Sequence, residues 1–406
     1  MELTPSSIWI VTSAALVLFM TPGLAFFYGG LVRAKSVVSM LMLNFSAIAL
    51  IGVLWILFGY NVYAGAGGDD AYFEGARVLV PGFAGNPFAG FPPGIDYIDV
   101  AFGATFAIIT TALISGAIAD RARFGSWLIF AGVWAALVYF PVAGWVWGGG
   151  WIQTLDLGGL HVIDLAGGTA VHINAGAAAL ALALVLGKRI GFAKGAHQPH
   201  NVPFVLLGAA ILWFGWFGFN TGLSGDTGSL GLSFINTIGA PAAAIIGWLL
   251  VEKLKDGKPT AVGAASGAVA GLVAITPAAL DLDPLWAIVL GLAAGAVSAL
   301  AIELKFKWGF DDSLDVVGIH LVSGMLGTLW LGLFANAERG LLMGGGLEQL
   351  ALQAIGAFAV AIYSFVIAFV IGTIIEKTIG FRVKNEDELA GIDVAVHGEA
   401  GYALVD

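Results

Sequence analysis

Apolar stretches long enough to cross a roughly 30 Å hydrocarbon core recur from one end of this 406-residue chain to the other. No water reaches a bilayer core to satisfy open backbone groups, so stretches of this kind fold as spanning helices packed into a bundle. Spans are expected at roughly 8–30, 38–60, 97–118, 126–146, 160–186, 202–221, 231–252, 260–279, 284–303, 314–335 and 350–375. With 59% of residues hydrophobic and 11% charged, nothing is left to build a large soluble domain. The expected fold is an all-α polytopic membrane protein, with a transmembrane domain over 1–380 and a polar tail over 381–406.

Eleven spans put the two termini on opposite faces. Of 17 Lys and Arg residues, all but Arg77 and Arg339 fall in the loops after spans 1, 3, 5, 7 and 9 or in the tail. Basic loops stay on the cytoplasmic side, so the N-terminus is expected outside and the tail in the cytoplasm. Met1 to Arg33 lacks a basic leading segment and a small-residue cleavage site, and reads as a retained first helix. The absence of Cys excludes disulfides and thiolate metal sites. The short basic clusters and the net charge of −10 argue against nucleic-acid binding.

The outer loops carry Asp69, Asp70, Glu74, Asp96, Asp226, Asp281 and Asp283, a face that attracts cations, although acidic outer loops also simply complement the basic inner ones. Many of the 59 glycines fall in runs such as GAASGAVAGL and GLAAGAVSAL. Small residues let membrane helices approach closely, so these runs are expected at tight helix contacts.

Two histidines stand inside apolar, glycine-rich spans: His172 in AGGTAVHINAG and His320 in DVVGIHLVSG. An ionisable residue there is costly, which makes it a functional candidate. Spans 1–5 set against 6–10 read as a repeat, inverted because five is odd, with the site at the interface of the halves. Span 5 carries Asp164 eight residues before His172, and span 10 carries Asp315 five before His320. At about 1.5 Å per residue, His172 lies roughly 18 Å below the outer edge and His320 roughly 9 Å above the inner one, so the two can meet.

Two imidazoles in a dry site are not both charged, since burial and mutual repulsion each disfavour the cation. A neutral pair shares one hydrogen bond and leaves ring nitrogens to face a small polar solute. The alternatives are histidines satisfied separately by carbonyls, or a metal site. The latter finds no Cys and no HExxH, and His161, His197, His200 and His397 sit in loops, at a helix end or in the tail. No metal or cofactor is expected. Phe102, Phe106, Trp147 and Phe219 gather in the outer half of the predicted topology, where a ring attracts a desolvating cation by roughly 0.5–2 kcal/mol, although each alone is also ordinary core or interface packing.

With the segments TPGLAFFYGGLVR, ISGAIADRARF, VWGGGW, IDLAGGTAVHINAG, WFGWFGFNTG, DDSLDVVGIHLVSGMLGTLW and GIDVAVHGEAGY in order, the chain resembles the Amt branch of the ammonium transporter (Amt/Mep/Rh) family. The resemblance implies a homotrimer with one pore per subunit, multi-pass in a cell membrane. It assigns Phe106 and Phe219 to a stacked outer gate, Trp147 with Phe102 and Phe106 to an outer cation site, and His172 with His320 to the pore. Asp164 becomes a supporting carboxylate that takes the backbone amides at Gly167 and Gly168, whereas Asp315 fits helix capping. Ammonium would enter, lose a proton and pass as ammonia, with methylammonium as an analogue and potassium refused; whether charge also crosses is open.

One position departs from that pattern. Four residues after Phe219, where many relatives have serine, stands Leu223. The tail order Gly391, Asp393, His397, Gly398, Glu399 and Tyr402 implies docking on cytoplasmic loops of its own and a neighbouring subunit. Arg121, Lys188 and Arg189 are expected to supply complementary charge, and the face is expected to receive a PII-type signalling protein. The alternatives are an ammonium sensor signalling through the tail, and an intramembrane hydrolase, for which the chain shows no nucleophile or ligand set.

Overall fold

The computed structural model describes residues 4–65, 88, 90–91, 95–192 and 198–403. Asp69, Asp70, Glu74, Arg77, Lys194 and His197 lie outside the described residues. Among the described residues ten helices are long and apolar enough to span: α1 Pro5–Leu31, α2 Ala34–Ala64, α3 Tyr97–Ile118, α4 Phe124–Thr154, α5 Gly168–Leu186, α6 Val202–Thr221, α7 Thr227–Lys255, α9 Pro284–Trp308, α10 Val317–Phe334 and α11 Glu348–Thr378. Between α7 and α9 lies a shorter apolar helix, α8 Ala261–Ile275. All eleven fall where the apolar segments were expected.

Polar side chains start these helices by accepting the amide hydrogens that the first turn leaves open. Asp96 accepts from the Ile98 amide at α3, Asn201 from Phe204 at α6, Asp226 from Gly228 and Ser229 at α7, and Thr260 from Gly263 at α8.

Two boundaries differ from the sequence reading. α5 starts at Gly168, not near 160, because Leu160–His161 is a short strand paired antiparallel with Asp156–Leu157. α10 starts at Val317, not 314. Helical rise cannot be counted from those apolar edges, since His172 and His320 each lie in the opening turn of their helix, a π-type turn in both cases. Apolar character does not mark where a helix begins: a short strand precedes α5 and a turn precedes α10.

The glycine runs sit at helix crossings. A Cβ added at Gly291 or Gly295 of α9 would run into the carbonyl oxygens of Ala240 and Ala244 in α7. One at Gly267 or Gly271 of α8 would strike the same stretch of α7. α1 lies along α6 in the same way, with Gly208 against the backbone of Phe27 and Gly218 against Ser13. Close backbone approach of this kind replaces the hydrophobic drive that lipid removes.

Candidate functional site

The site is built on the openings of α5 and α10. Ahead of α5 the chain turns at Gly167, whose φ of +113° suits glycine. Asp164 then accepts from the Gly167 amide at 2.8 Å, Gly168 at 2.6 Å, Thr169 at 2.9 Å and Ala170 at 3.2 Å, and also from the Thr169 hydroxyl. One buried carboxylate thus satisfies the whole first turn of the helix that carries His172. Its backbone oxygen accepts from Trp147 Nε1 at 2.8 Å, which ties that indole to the same turn.

At α10 the corresponding residue is Asp312, not Asp315. Asp312 Oδ2 accepts from the Val317 amide at 2.7 Å. Asp315, at φ +63°, pairs instead with Lys305 Nζ at 2.6 Å. The signal was present in the sequence: Asp312 lies eight residues before His320, as Asp164 lies eight before His172. In the adjacent pair of aspartates, Asp311 is already committed to Arg189, which leaves Asp312 to face the helix.

Gly176 and Gly324 each follow their histidine by four residues and let the two helices cross. A Cβ at Gly176 would meet Leu321, and one at Gly324 would meet Ile173 and His172. The crossing brings His172 Nδ1 to 3.2 Å from His320 Nδ1, with ring centroids 5.3 Å apart and planes at 19°. Both rings are buried. One Nδ1 donates and the other accepts, so the pair as built shares a single proton between those atoms. His172 Nε2 has no hydrogen-bond partner among the described residues. His172 also stacks on Trp216, 5.4 Å between centroids, and Trp216 Nε1 is held by Thr276 Oγ1 at 2.8 Å. Trp216 was not singled out in the sequence, because one tryptophan in GWFGFNTG looks like any other.

Outward of the pair, Phe106 and Phe219 stack face to face, 4.2 Å between centroids at 16°. Phe102 lies 4.9 Å from Phe106, and Trp147 meets Phe106 edge-on at 6.0 Å. Phe102, Phe106, Trp147, Phe219 and Leu223 all line a cavity of about 340 Å³ on the same side of the histidines. Phe219 also borders a cavity of about 10 Å³ that holds both histidines and is otherwise walled by apolar residues such as Leu24, Ile109 and Val269, together with Trp216. Toward the other face a cavity of about 170 Å³ is lined by Arg189, Lys305, Ser313 and Asp315. The phenylalanine pair therefore stands between a wide aromatic cavity and a small one lined by the histidines. Among the described residues no group of three His, Asp or Glu could hold a metal ion.

The tail folds back onto the loops of its own chain. Val383 donates to the Arg121 carbonyl and Arg123 to the Phe381 carbonyl, a short antiparallel bridge. Glu388, in the short helix Asn385–Ala390, accepts from the Ile190 amide at 2.6 Å and pairs with Arg382 at 2.7 Å. Asp393 accepts from the amides of Val38 and Ser39 at 3.0 and 2.8 Å, and Tyr402 Oη meets His200 Nε2 at 2.7 Å. The basic side chains expected to attract it are used elsewhere. Arg121 reaches Ser313 and the Asp311 carbonyl, Arg189 binds Asp311 and Asp120, and Lys188 lies over the Phe192 ring. Burial raises the Asp311 pKa, but hydrogen bonds from Arg189 and the charges of Arg121 and Arg189 outweigh it and hold the carboxyl below its ordinary range. Arg121 and Arg189 are buried and need permanent partners, which Ser313, the Asp311 carbonyl and the carboxylates of Asp311 and Asp120 supply, and the tail holds by its own acids on backbone amides.

Fold and site together define a polytopic helical membrane protein with a buried histidine pair in a small, otherwise apolar cavity next to a wider aromatic one. The chain belongs to the Ammonium Transporter Family, whose profile matches residues 8–402. It is 50% identical over 431 aligned positions to a protein of Mycobacterium bovis named ammonium transporter, with 97% of this chain and 89% of that one covered. Among solved structures it resembles the Mep2 protein of Candida albicans, at 31% identity and a TM-score of 0.81 over 94% of this chain and 87% of that one. It also resembles a structure titled "Sensor Amt Protein", at 28% identity and a TM-score of 0.83 over 96% of this chain and 97% of that one.

Proposed function

We propose that this chain transports ammonium: the cation is taken up at the aromatic mouth, loses a proton, and passes the histidine pair as ammonia. The observation that carries this reading is the hydrogen-bonded pair His172–His320 set in an otherwise apolar passage directly beneath the Phe106–Phe219 stack. A bare cation at mid-bilayer costs at least about 2.5–3.5 kcal/mol, whereas ammonia needs only a hydrogen-bond partner, which the imidazoles supply. Potassium has no proton to lose and is refused. In this reading Phe106 and Phe219 gate, Trp147, Phe102 and Phe106 hold the cation, and Asp164 supports the turn beneath them.

The halves α1–α5 and α6–α10 form an inverted repeat. Paired Asp–His spacings in α5 and α10, and the matching glycines that let those helices cross, support it. The lopsided Lys and Arg distribution supports an outer N-terminus and a cytoplasmic tail. The substrate class includes methylammonium, the assembly is a homotrimer, and the docked tail forms the surface for a PII-type partner. Current and pH recordings on oriented protein in liposomes, pulsed with ammonium, methylammonium and potassium, test the function. Silence to ammonium in both readouts rejects it. A second reading, an ammonium sensor, draws on the similarity to the structure titled as a sensor, and substantial flux in the same recordings disposes of it.

Leu223 is 60% exposed and lines the outer cavity. Leu223→Ser places an oxygen acceptor there, and a hydrogen bond to a charged group is worth about 1.5–3 kcal/mol before reorganisation. Ammonium titration is expected to show binding tightened by up to about tenfold once reorganisation is deducted. No gain would mean that position 223 does not reach the cation.

Truncation after Lys384 removes Glu388 and Asp393, and with them the hold on the Ile190, Val38 and Ser39 amides. Transport is expected to fall while the membrane helices stay folded. Wild-type rates, together with rapid amide exchange throughout the intact tail, would show that the tail has no hold on the loops.

A further inference from the structure

The outer cavity contains a carboxylate that the aromatic site does not use. Asp99 lines it together with Trp55, Tyr60 and Tyr63 of α2, and no Lys, Arg or His is among the described lining residues. Asp99, Phe102 and Phe106 are spaced by three and four residues and so share one face of α3. The carboxylate therefore stands about one turn outward of Phe102 and roughly 10 Å outward of Phe106.

Three other outer acids are already occupied. Asp96 caps α3, Asp226 caps α7, and Asp281 pairs with Arg339. Asp99 has no hydrogen bond or ion pair among the described residues, although it lies in the first turn of α3, where Asp96 already serves the amides. Across the cavity the Tyr60 and Tyr63 rings are 5.6 Å apart, and Trp55 lies 5.7 Å from Tyr63. Trp55 Nε1 donates to the Val100 carbonyl at 2.9 Å, which fixes this group of rings to the turn of α3 that bears Asp99.

We propose that Asp99, with Tyr60 and Tyr63, forms a separate outer holding site for small ammonium cations at the mouth of the cavity, upstream of Phe102, Phe106 and Trp147. The inference rests on the transport reading above. An ammonium ion carries several N–H donors, and the carboxylate and phenol oxygens accept them while the ring faces attract its charge. The site matters more in this chain because Leu223 offers no acceptor deeper in the cavity. Potassium is attracted equally, so this site raises the local supply of cation and does not select.

The test is the apparent KM for methylammonium in proteoliposomes at ionic strengths of about 0.01 M and about 0.15 M, between which screening shortens from roughly 30 Å to roughly 8 Å. Asp99→Asn is expected to raise KM about three- to tenfold at low salt with the maximal rate unchanged, a difference that shrinks at the higher salt. Asp99→Glu should restore the wild-type KM, and the preference for ammonium over potassium should not move in either variant. An Asp99→Asn KM equal to wild type at both salts overturns the proposal, as does a lower maximal rate at unchanged KM. If Asp99→Asn fails to fold, the wild-type protein and Tyr60→Phe/Tyr63→Phe decide. A wild-type KM indifferent to salt, or an unchanged KM in the double variant, overturns it, and a rise in both supports it. If the wild-type protein carries no ammonium at all, the transport reading itself has failed, a result distinct from these.

Discussion

His172→Ala and His320→Ala are each expected to cut ammonium transport, or its preference over potassium, by about five- to 150-fold while leaving the protein folded. The range follows from removing one partner of a buried hydrogen bond, which costs about 1–3 kcal/mol where no water replaces it. His172→Ala should be the more severe. Its ring is stacked on Trp216 and lies 6.0 Å from Phe219 as well as bonding to His320, so its loss disturbs the floor of the gate as well as the passage. His320→Ala removes only the lower ring. Flux and selectivity in proteoliposomes, with thermal melting in detergent as a folding control, check both. Two variants indistinguishable from wild type would sink the claim that the pair handles the solute.

Asp164→Ala is expected to have the largest effect on stability. It leaves four amide hydrogens and the Thr169 hydroxyl at the start of α5 without their acceptor, in a place that water barely reaches. At about 1–3 kcal/mol for each buried group left open, even two unsatisfied groups cost on the order of 2–6 kcal/mol. Asp164→Asn should be milder, since one oxygen remains to accept while the new NH₂ faces amides that also donate. Melting temperature and folded yield in detergent are the readouts, with the order wild type, Asn, Ala. If Asp164→Ala melts within about 2 °C of wild type, the carboxylate is not what holds the turn.

The tail shows the limit of reasoning from charge. Arg121, Lys188 and Arg189 are the obvious partners for an acidic segment, yet each is engaged within the loops. Charge is legible in a sequence, but which charge is still free depends on who has already been paired. Glu388 and Asp393 hold the tail through backbone amides, donors that every residue except proline carries and that no sequence pattern marks.

What the sequence by itself determined was the bilayer as solvent, eleven helical segments and the residues worth watching: His172, His320, Phe102, Phe106, Trp147, Phe219 and Asp164. Hydropathy is a local sum over about twenty residues, and an ionisable side chain inside such a window is conspicuous wherever it ends up. Tertiary structure alone decided where α5 and α10 begin and that Trp216 backs His172. It also decided that two rings 148 positions apart lie within hydrogen-bonding distance. Each of these depends on a crossing set by Gly176 against Leu321 and Gly324 against Ile173, and on which backbone donors that crossing leaves open. Long-range contact and unmet hydrogen bonds are properties of the packed bundle, so they come into being only when the helices meet.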